Sequence, residues 1–505
     1  MSFGKPSYTP LSRGEKIRVI FLFQIPSFWP SWESVYRAGT EDERFEVKLL
    51  WLDELAFSKA QMIGAEEFLT ENQLAYAKFN EFNLTDYKPH IVVLQSPYDT
   101  THRPVQALSL NFTALGARVV YIPYGIEISD TPLSRINHFY TFTVLNAWRI
   151  YVMSSEMAGH YKEHCPNRAA VRVCGHPKFD SYADKGRFEF PDELRRLIGN
   201  RRTVLWKMHF PKMEAGNTLI TPNIDEYVKF ADKVSDFPDL FFIFTPHPLM
   251  LAESDELETA AREKSQILLA MLATKENVYV YGASDYRAAL SCAEAVIIDR
   301  SALMIEAALT GAPILYMYNA DNIEKMTDAI APLLESFYQG TTADDMVHFL
   351  ERFRNGFDPK KEQRAKAFNA CVPYTDGRCG ERIVNDMADS ILREAQSAPK
   401  PKIAIFGLGG LFRYYWEDTD IFSHDRFDII VFSDNDASRW GERFHGIPVV
   451  KPEGLRDFSF DKIVVFSERY FMEIFRQLVY DVRIDIDRIY RLDKFLFEII
   501  SEADN

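Results

Sequence analysis

The chain has 505 residues, more than one hydrophobic core ordinarily supports, so two or three domains are expected. Its 47% hydrophobic and 26% charged residues are ordinary for a globular protein. A net charge of −15 argues against non-specific binding to nucleic acid or to an anionic membrane.

The cysteines and the first residues of the chain indicate the compartment. The five cysteines are odd in number and lack metal-ligand spacing, which favours a reduced cytosolic environment. Residues 1–16 lack the apolar core of a signal peptide, and no apolar run approaches the roughly 18 residues of a spanning helix. We therefore expect a cytoplasmic protein whose membrane contact, if any, is peripheral and at the inner face.

Short apolar segments alternate with helical segments through the first part of the chain. The candidate strands are 17–23, 46–53, 90–96, 118–124, 149–155 and 171–175. Each is bounded by turn or helix signals, as is typical of a doubly wound parallel sheet. We predict an N-terminal Rossmann-like domain over residues 1–185. If the protein binds two substrates in a cleft between two such domains, this domain is expected to bind the acceptor.

A second series of the same kind follows the polar segment 183–193, which is the predicted hinge. Its candidate strands are 203–208, 240–246, 278–282, 295–299 and 313–318, and its candidate helices are 224–234, 253–273 and 286–293. Helical segments from 342 to 396 close this unit and are placed to cross back to the first half. We predict a nucleotide-donor-binding Rossmann-like domain over 186–396. Two such halves with a cleft between them are the GT-B architecture of transferases and of sugar-nucleotide 2-epimerases.

A third unit follows the linker 397–401. Its candidate strands are 402–410, 427–436, 446–450 and 462–467, and the predicted small Rossmann-like domain spans 402–505. Gly407 and Gly409 form a partial dinucleotide-binding fingerprint, with Phe412 at the place of a third glycine. Asp434 stands where a ribose-binding acid is expected. This unit is either a nucleotide site or, as we favour, an accessory or oligomerising module.

Residues 296–318 form the most informative segment, a strand–helix–strand unit with a polar turn. The strand ends in Asp299, Ser301 is placed at the helix start, and Gly311 is placed to end the helix. Open α/β sheets bind ligands at this edge, and helix starts favour anions. We predict a nucleotide-diphosphate site in which Glu306 accepts from a ribose diol. The alternative is that Asp299 and Ser301 are ordinary helix caps.

Four further groups of polar residues follow predicted strands. They are His247 with its flanking prolines, the turn Gly175–Asp180 with Lys178, the pair Lys207 and His209, and Tyr124 with Glu127. A histidine or a lysine at such an edge can face a phosphate or transfer a proton. The alternatives are a surface-loop histidine, a domain-linking turn and a solvated strand end.

The order of these motifs resembles the CDP-glycerol glycerophosphotransferase family, the GT-B transferases of teichoic-acid and capsule polymers. The likeness covers roughly residues 17–395. It runs through Gly175–Asp180, Lys207 with His209, His247 with Pro248, and Asp299, Ser301 and Glu306. The third, C-terminal Rossmann-like domain is an addition to that pattern.

The resemblance implies transfer of a polyol phosphate from a CDP-glycerol-like donor to a glycan or lipid-linked polymer acceptor. It implies a metal-independent mechanism with no cofactor, no nucleic-acid partner, and peripheral contact with membrane or capsule assembly machinery. The implied catalytic residues are His247, Tyr124 and Glu127. The implied donor-binding residues are Lys207, His209, His247, Asp299, Arg300, Ser301, Ala302, Glu306, Gly175 and Lys178.

Two positions depart from the family pattern. Tyr124 stands where members often carry a histidine base, and a phenol of ordinary pKa is a poor base. Ala302 replaces a serine and removes one phosphate donor. Glu127, Asp99 and His102 are the substitute bases. The departures keep two rivals open, a glycosyltransferase using a UDP- or CMP-activated sugar, and a non-catalytic binding subunit of a capsule assembly complex.

Overall fold

The computed structural model describes twelve segments of the chain. They are residues 8–12, 14–53, 64–184, 187–211, 213–214, 218–219, 221–251, 259–282, 285–397, 400–419, 422 and 427–496. The chain packs into two compact units. One draws its residues from 1–9 and 16–388, and the other from 10–15 and 389–505.

The first unit begins with a seven-stranded sheet in which every neighbouring pair is parallel. Its strands are β1 (Ile17–Phe23), β2 (Phe45–Trp51), β3 (Ala77–Lys78), β4 (Ile91–Leu94), β5 (Arg118–Tyr121), β6 (Ala147–Val152) and β7 (Val171–Val173). The connecting helices are α1 (Glu33–Glu41), α2 (Ala65–Glu71), α3 (Leu84–Tyr87), α4 (Asp99–His102), α5 (Ser109–Ala114), α6 (Pro132–Phe139), α7 (Phe142–Asn146) and α8 (Ser155–His164). The strand order is β3-β2-β1-β4-β5-β6-β7, so the sheet grows in opposite directions from β1 and β4.

A second parallel sheet completes the first unit. Its strands are β8 (Arg202–Met208), β11 (Leu240–Pro246), β12 (Val278–Val280), β13 (Ala295–Ile298), β14 (Ile314–Met317) and β15 (Tyr338–Gly340), and the strands β9 (Met213–Glu214) and β10 (Thr218–Leu219) form a separate antiparallel pair. The helices are α9 (Asp192–Ile198), α10 (Ile224–Lys233), α11 (Pro248–Leu251), α12 (Thr259–Ala273), α13 (Arg287–Ser291), α14 (Leu303–Leu309), α15 (Ala331–Glu335), α16 (Ala343–Arg354), α17 (Lys361–Cys371) and α18 (Cys379–Ser397). The order β12-β11-β8-β13-β14-β15 reverses direction between β8 and β13.

Helix α18 returns to the first sheet, as the sequence indicated. Asp386 on α18 accepts from the phenol of Tyr151 on β6 at 2.8 Å and pairs with Arg149 at 3.3 Å. A Cβ added to Gly380 would lie 2.5 Å from the backbone of Ser34, so α18 and α1 are in close contact. Helix α18, which follows the second sheet in the chain, therefore connects that sheet to the first one.

The second unit holds one mixed sheet. Its strands are β16 (Lys402–Phe406), β17 (Asp428–Ser433), β18 (Arg443–Phe444), β19 (Ile447–Val450), β20 (Lys462–Val465) and β21 (Ile489–Arg491), with helices α19 (Gly410–Asp418) and α20 (Phe471–Arg476). The order is β18-β19-β17-β16-β20-β21, and only the β18–β19 pair among these is antiparallel. Phe412 is fully buried against the rings of Phe422, Phe432 and Phe466, which explains why no third glycine stands there.

Every strand predicted from the sequence corresponds to an observed strand, although most observed strands are shorter. The strands that the sequence did not indicate are two or three residues long, too short for a hydrophobic pattern. Residues 185–186 of the predicted hinge, 253–258 of a predicted helix and 398–399 of the predicted linker lie outside the described residues. No helix in the described part of the chain combines the length and the hydropathy that crossing a membrane requires.

Candidate functional site

The second sheet brings several predicted site residues to one edge. The strands β8 and β13 are neighbours, and the chain continues from them in opposite directions across the sheet. Ligands of open α/β sheets bind beyond the carboxyl ends of the strands at such a switch point. His209 follows β8, His247 follows β11, and Asp299 follows β13. Residues far apart in sequence thus share the edge at which sheets of this kind bind ligands.

Asp299 is fully buried at this edge. Its carboxylate accepts a hydrogen bond from the backbone N–H of His209 at 2.8 Å and another from the phenol of Tyr227 at 3.0 Å. Burial raises the pKa of Asp299, and burial lowers the pKa of the neighbouring Lys207, whose ammonium group donates to the Thr245 carbonyl at 3.3 Å. Both shifts have the same cause, because burial disfavours the charged form of each group. The Asp299 carboxyl group joins β13 to the end of β8 through its hydrogen bond from His209.

The start of α14 differs from the expected one. The helix begins at Leu303 rather than at residues 300–302, and Asp299 does not cap it because its carboxylate is used by His209 and Tyr227. The hydroxyl of Ser301 accepts from the Leu303 N–H at 3.3 Å, as a capping serine does. Gly311 follows the helix at a φ of 76°, in the left-handed conformation that the sequence predicted.

The histidines of the second sheet lie together. The rings of His209 and His247 are 4.8 Å apart between centroids, and Phe210 packs against each of them. The Nδ1 atom of His209 lies 2.8 Å from the Phe210 carbonyl oxygen, which fixes the orientation of that ring. Two adjacent imidazoles at these strand ends offer ring N–H groups that can donate hydrogen bonds to a phosphate.

Arg300 connects this edge to the first sheet. Its guanidinium group pairs with Glu324 at 2.8 Å and donates to the Ser129 hydroxyl at 3.2 Å. Ser129 also forms an antiparallel bridge with Met326. The loop that follows β5 is therefore held against the segment that follows β14, and the two halves of the first unit face each other here.

Glu127 lies in that loop and is buried. Its carboxylate accepts a hydrogen bond from the phenol of Tyr161, and the Nδ1 atom of His138 lies 3.8 Å away. Burial raises the pKa of Glu127 to about 7. A carboxyl group that titrates near neutral pH is suited to exchange a proton with a substrate hydroxyl.

Tyr124 lies close to Glu127 but is held as a neutral phenol. Its ring stacks on Phe28 at 3.8 Å between centroids, and it shares a hydrogen bond with Tyr98. Burial, with the neighbouring Tyr98 phenol, raises the pKa of Tyr124 well above its ordinary value. The environment therefore makes Tyr124 a weaker source of a phenolate base than a free tyrosine.

Asp99 and His102, the other two substitute bases, have partners among their neighbours in the first half of the chain. Asp99 pairs with the buried Arg103 at 2.5 Å and accepts from the Ser109 N–H at 3.1 Å. The Nδ1 atom of His102 lies 2.8 Å from the Ser96 hydroxyl, and burial lowers the pKa of His102 to about 4. Among the substitute bases that the sequence offered, Glu127 is the one whose pKa burial raises to about 7.

Glu306 is buried within a set of polar side chains. Its carboxylate accepts from the phenol of Tyr286 at 2.9 Å and from the phenol of Tyr182 at 3.2 Å. The ammonium group of Lys178 lies 3.4 Å from the same carboxylate. Lys178 and Tyr182 belong to the segment after β7, so Glu306 joins the two halves of the first unit. These partners occupy the carboxylate that the sequence assigned to a ribose diol.

The Gly175–Asp180 turn contacts the start of α18. Asp180 accepts hydrogen bonds from the N–H groups of Cys379 and Gly380, at 2.9 and 2.8 Å, and so caps that helix. The Nε2 atom of His176 lies 2.7 Å from the Pro123 carbonyl oxygen. This cap fixes where α18 starts.

Replacing Gly175 by Ala is expected to destabilise the protein by about 1–3 kcal/mol. Gly175 has a φ of 84°, and an added Cβ would lie 2.4 Å from Sγ of Cys379 and 2.8 Å from Cβ of Tyr374. Urea unfolding measures the change. Gly159→Ala on α8 is the matched control, because its Cβ would meet nothing within 4 Å. Equal stability of the two variants would contradict this role of Gly175.

The glycine loop of the third sheet is closed by Asp434. The Asp434 carboxylate accepts from the backbone N–H of Leu408 at 2.7 Å and from that of Asp436 at 2.9 Å. Gly407 has a φ of 94° and a Cβ there would lie 3.3 Å from the Phe466 carbonyl oxygen, whereas a Cβ at Gly409 would be free of contacts. Asp434 therefore already has protein partners, which suits the accessory module that the sequence favoured.

Several residues of this arrangement had no sequence signal. Tyr98, Ser129, Tyr161, Tyr286 and Glu324 acquire their partners from distant parts of the chain. Their positions in loops and helices carry no motif, so no spacing rule could have found them.

Three solved structures resemble this chain over most of their length. A putative UDP-N-acetylglucosamine 2-epimerase from Listeria monocytogenes is 17% identical, with a TM-score of 0.51 over 75% of this chain and 98% of that one. The S. aureus MnaA–UDP structure is 14% identical, with a TM-score of 0.52 over 75% and 97%. The UDP-GlcNAc 2-epimerase from Neisseria meningitidis, bound to UDP-GlcNAc, is 13% identical, with a TM-score of 0.51 over 74% and 100%. The first unit thus has the GT-B arrangement of two Rossmann-like domains.

The family comparison concerns the C-terminal part of the chain. A family described as C2185-like, N-terminal, matches residues 399–490, the segment that contains the third sheet. Among curated proteins, no match was found.

Proposed function

We propose that the protein is an enzyme that binds a nucleotide-activated donor at the carboxyl ends of β8, β11 and β13. The observation that carries this proposal is the convergence of Lys207, His209, His247 and Asp299 at the switch point of the second sheet. Hydrogen-bond donors and cations placed there suit the charge of a diphosphate leaving group. The similar structures include proteins solved with UDP or UDP-GlcNAc, which supports a ligand of this class.

The reaction that we propose is transfer of a polyol phosphate from a CDP-activated donor to a hydroxyl of a glycan or polymer acceptor. The support is the motif order that this chain shares with the CDP-glycerol glycerophosphotransferases. The protein would serve bacterial surface polysaccharide or teichoic-acid-like synthesis from the cytoplasmic side of the membrane. The acceptor and the assembly machinery would be its partners there.

The residues have separate roles in this reaction. Glu127 accepts the proton of the acceptor hydroxyl, whose oxygen forms a bond to the phosphorus that carries the polyol. The bond from that phosphorus to the oxygen of CMP breaks, and CMP leaves with the electron pair. Lys207 and His247 stabilise the charge that develops on the leaving group. These roles need no cofactor.

A glycosyltransferase that uses a UDP- or CMP-activated sugar is the second candidate. Two observations favour it. Tyr124 stands where the polyol-phosphate family often has a histidine base, and its raised pKa makes it a poor substitute. Ala302 offers no hydroxyl to the phosphates. In this reaction the same Glu127 would activate the acceptor, and the attack would fall on the sugar carbon. A non-catalytic binding subunit is the remaining alternative, and turnover with any donor excludes it.

Thermal unfolding of the full-length protein with CDP, UDP, CMP, GDP and NAD tests the donor. A ligand at about 100 times its Kd stabilises the folded state by about 2.7 kcal/mol, which raises the Tm. We expect CDP to raise the Tm and His247→Ala to abolish the increase. His348→Ala is the control, because His348 is exposed on α16 and lies outside the site.

The nucleotide that raises the Tm indicates which of the candidate functions is correct. An increase with UDP or CMP but not CDP would favour the glycosyltransferase. An increase with NAD alone would direct attention to Gly407, Gly409 and Asp434. No increase with any nucleotide would contradict the proposed donor site.

A further inference from the structure

Three metal-ligating side chains meet between α8 and the loop after β5. His160 and His164 lie one turn apart on α8, with ring centroids 4.8 Å apart. Asp130 comes from the loop, and its Oδ1 atom lies 3.9 Å from Nε2 of His164. One ligand atom from each of the three residues lies within 4.8 Å of the others. Two imidazoles and a carboxylate form the kind of ligand set that binds Zn²⁺.

The packing of the two histidines leaves one buried ring nitrogen without a hydrogen-bond partner in the described part of the chain. Nε2 of His160 is buried and makes no hydrogen bond within the described part of the chain. Phe139 packs against both rings, with centroid distances of 5.3 and 6.0 Å. A packed imidazole whose Nε2 atom has no hydrogen-bond partner is placed to bind a metal ion.

Two cations compete for the carboxylate. Arg135 pairs with Asp130 at 2.7 Å and Lys325 at 2.5 Å. The Lys325 side chain is 66% exposed and that of Arg135 is 36% exposed. Lys325 can therefore turn into solvent when a metal ion takes its place. Glu163, whose carboxylate lies 3.6 Å from His164, adds negative charge at the edge of the cluster.

We propose that Asp130, His160 and His164 bind one Zn²⁺ ion, with water completing the coordination. None of the three residues belongs to the proposed donor site or to the proposed base. The loop that carries Asp130 also carries Glu127 and bridges to Met326 through Ser129. A bound ion would fasten α8 to this loop and so hold the contact between the two halves of the first unit.

Isothermal titration calorimetry tests the proposal. The full-length protein is first treated with a chelator and is then titrated with ZnCl₂ in a non-coordinating buffer. We expect one equivalent of Zn²⁺ to bind. Removal of an outer-shell partner of a metal site weakens binding by roughly 10–100-fold, and loss of a ligand should cost at least as much. His160→Ala and His164→Ala should therefore each weaken binding by at least about tenfold. His348→Ala, on an exposed helix face, should bind as the unchanged protein does.

A second variant does not rely on losing a ligand. Lys325→Met removes the ammonium group that competes for Asp130, so it should bind Zn²⁺ more tightly than the unchanged protein. Circular dichroism checks that each variant is folded. Absence of one-equivalent binding, or equal affinity in His164→Ala and His348→Ala, would overturn the proposal. Either result would leave the nucleotide panel unaffected, since that panel probes other residues.

Discussion

Replacing Glu127 by Gln is expected to lower kcat by about 10²–10⁴-fold while nucleotide binding is retained. Gln has the same shape and can still accept from the phenol of Tyr161, but it cannot take a proton. Initial rates with the donor identified by the thermal panel measure the loss. The Kd for the nucleotide, from the same panel, is the control, because Glu127 lies in the first half and the donor residues lie in the second.

The pH dependence follows from the buried carboxyl group. A base must be ionised, and burial raises the pKa of Glu127 to about 7, so activity should rise as the pH increases through about 7. The hydrogen bond from Tyr161 lowers that pKa. Tyr161→Phe should therefore move the rise to higher pH. Burial also raises the pKa of Asp299, but Tyr161 does not contact Asp299, so an unchanged profile in Tyr161→Phe would reject Glu127 as the base.

Replacing Glu306 by Ala is expected to destabilise the protein by about 3–5 kcal/mol. The substitution leaves the Lys178 ammonium group, 6% exposed as a residue, without its carboxylate at 3.4 Å. It also leaves the phenols of Tyr182 and Tyr286 without their acceptor. Urea unfolding, monitored by tryptophan fluorescence, measures the change in the free energy of unfolding.

A double-mutant cycle separates this structural role from ribose binding. Lys178→Met with Glu306→Ala should cost less than the sum of the two single substitutions, because the buried cation is gone in the double variant. If Glu306 served only as the ribose acceptor, its replacement would leave the unfolding midpoint unchanged and would weaken only nucleotide binding. That outcome would contradict the structural role.

The strands of the three sheets could be predicted because each buried parallel strand is a continuous apolar run. The segment 295–299 predicted β13 (Ala295–Ile298), which is fully buried, and the segment 17–23 predicted β1 without an error. Short edge strands such as β21 carry too few residues to show a pattern. The sequence placed the start of α14 at Ser301, whereas the helix begins at Leu303 and the Ser301 hydroxyl accepts from the N–H of that residue.

Some features of the candidate site could be predicted from the sequence and others could not. His209, His247 and Asp299 could be named from the sequence, because each directly follows an apolar strand and parallel strands end at one edge. The raised pKa of Glu127, the pairing of Lys178 with Glu306 and the cluster of Asp130 with two histidines could not. They depend on burial and on partners distant in sequence.

The sequence by itself determined the alternation of strands and helices, the GT-B plan of the first unit and the strand ends that carry polar residues. These features follow from local hydrophobic periodicity and turn chemistry, which act over a few neighbouring residues. The tertiary structure alone decided which of those residues are buried and what they contact. The strength and protonation of a polar group depend on desolvation and on nearby charges, and only the packed chain brings these together.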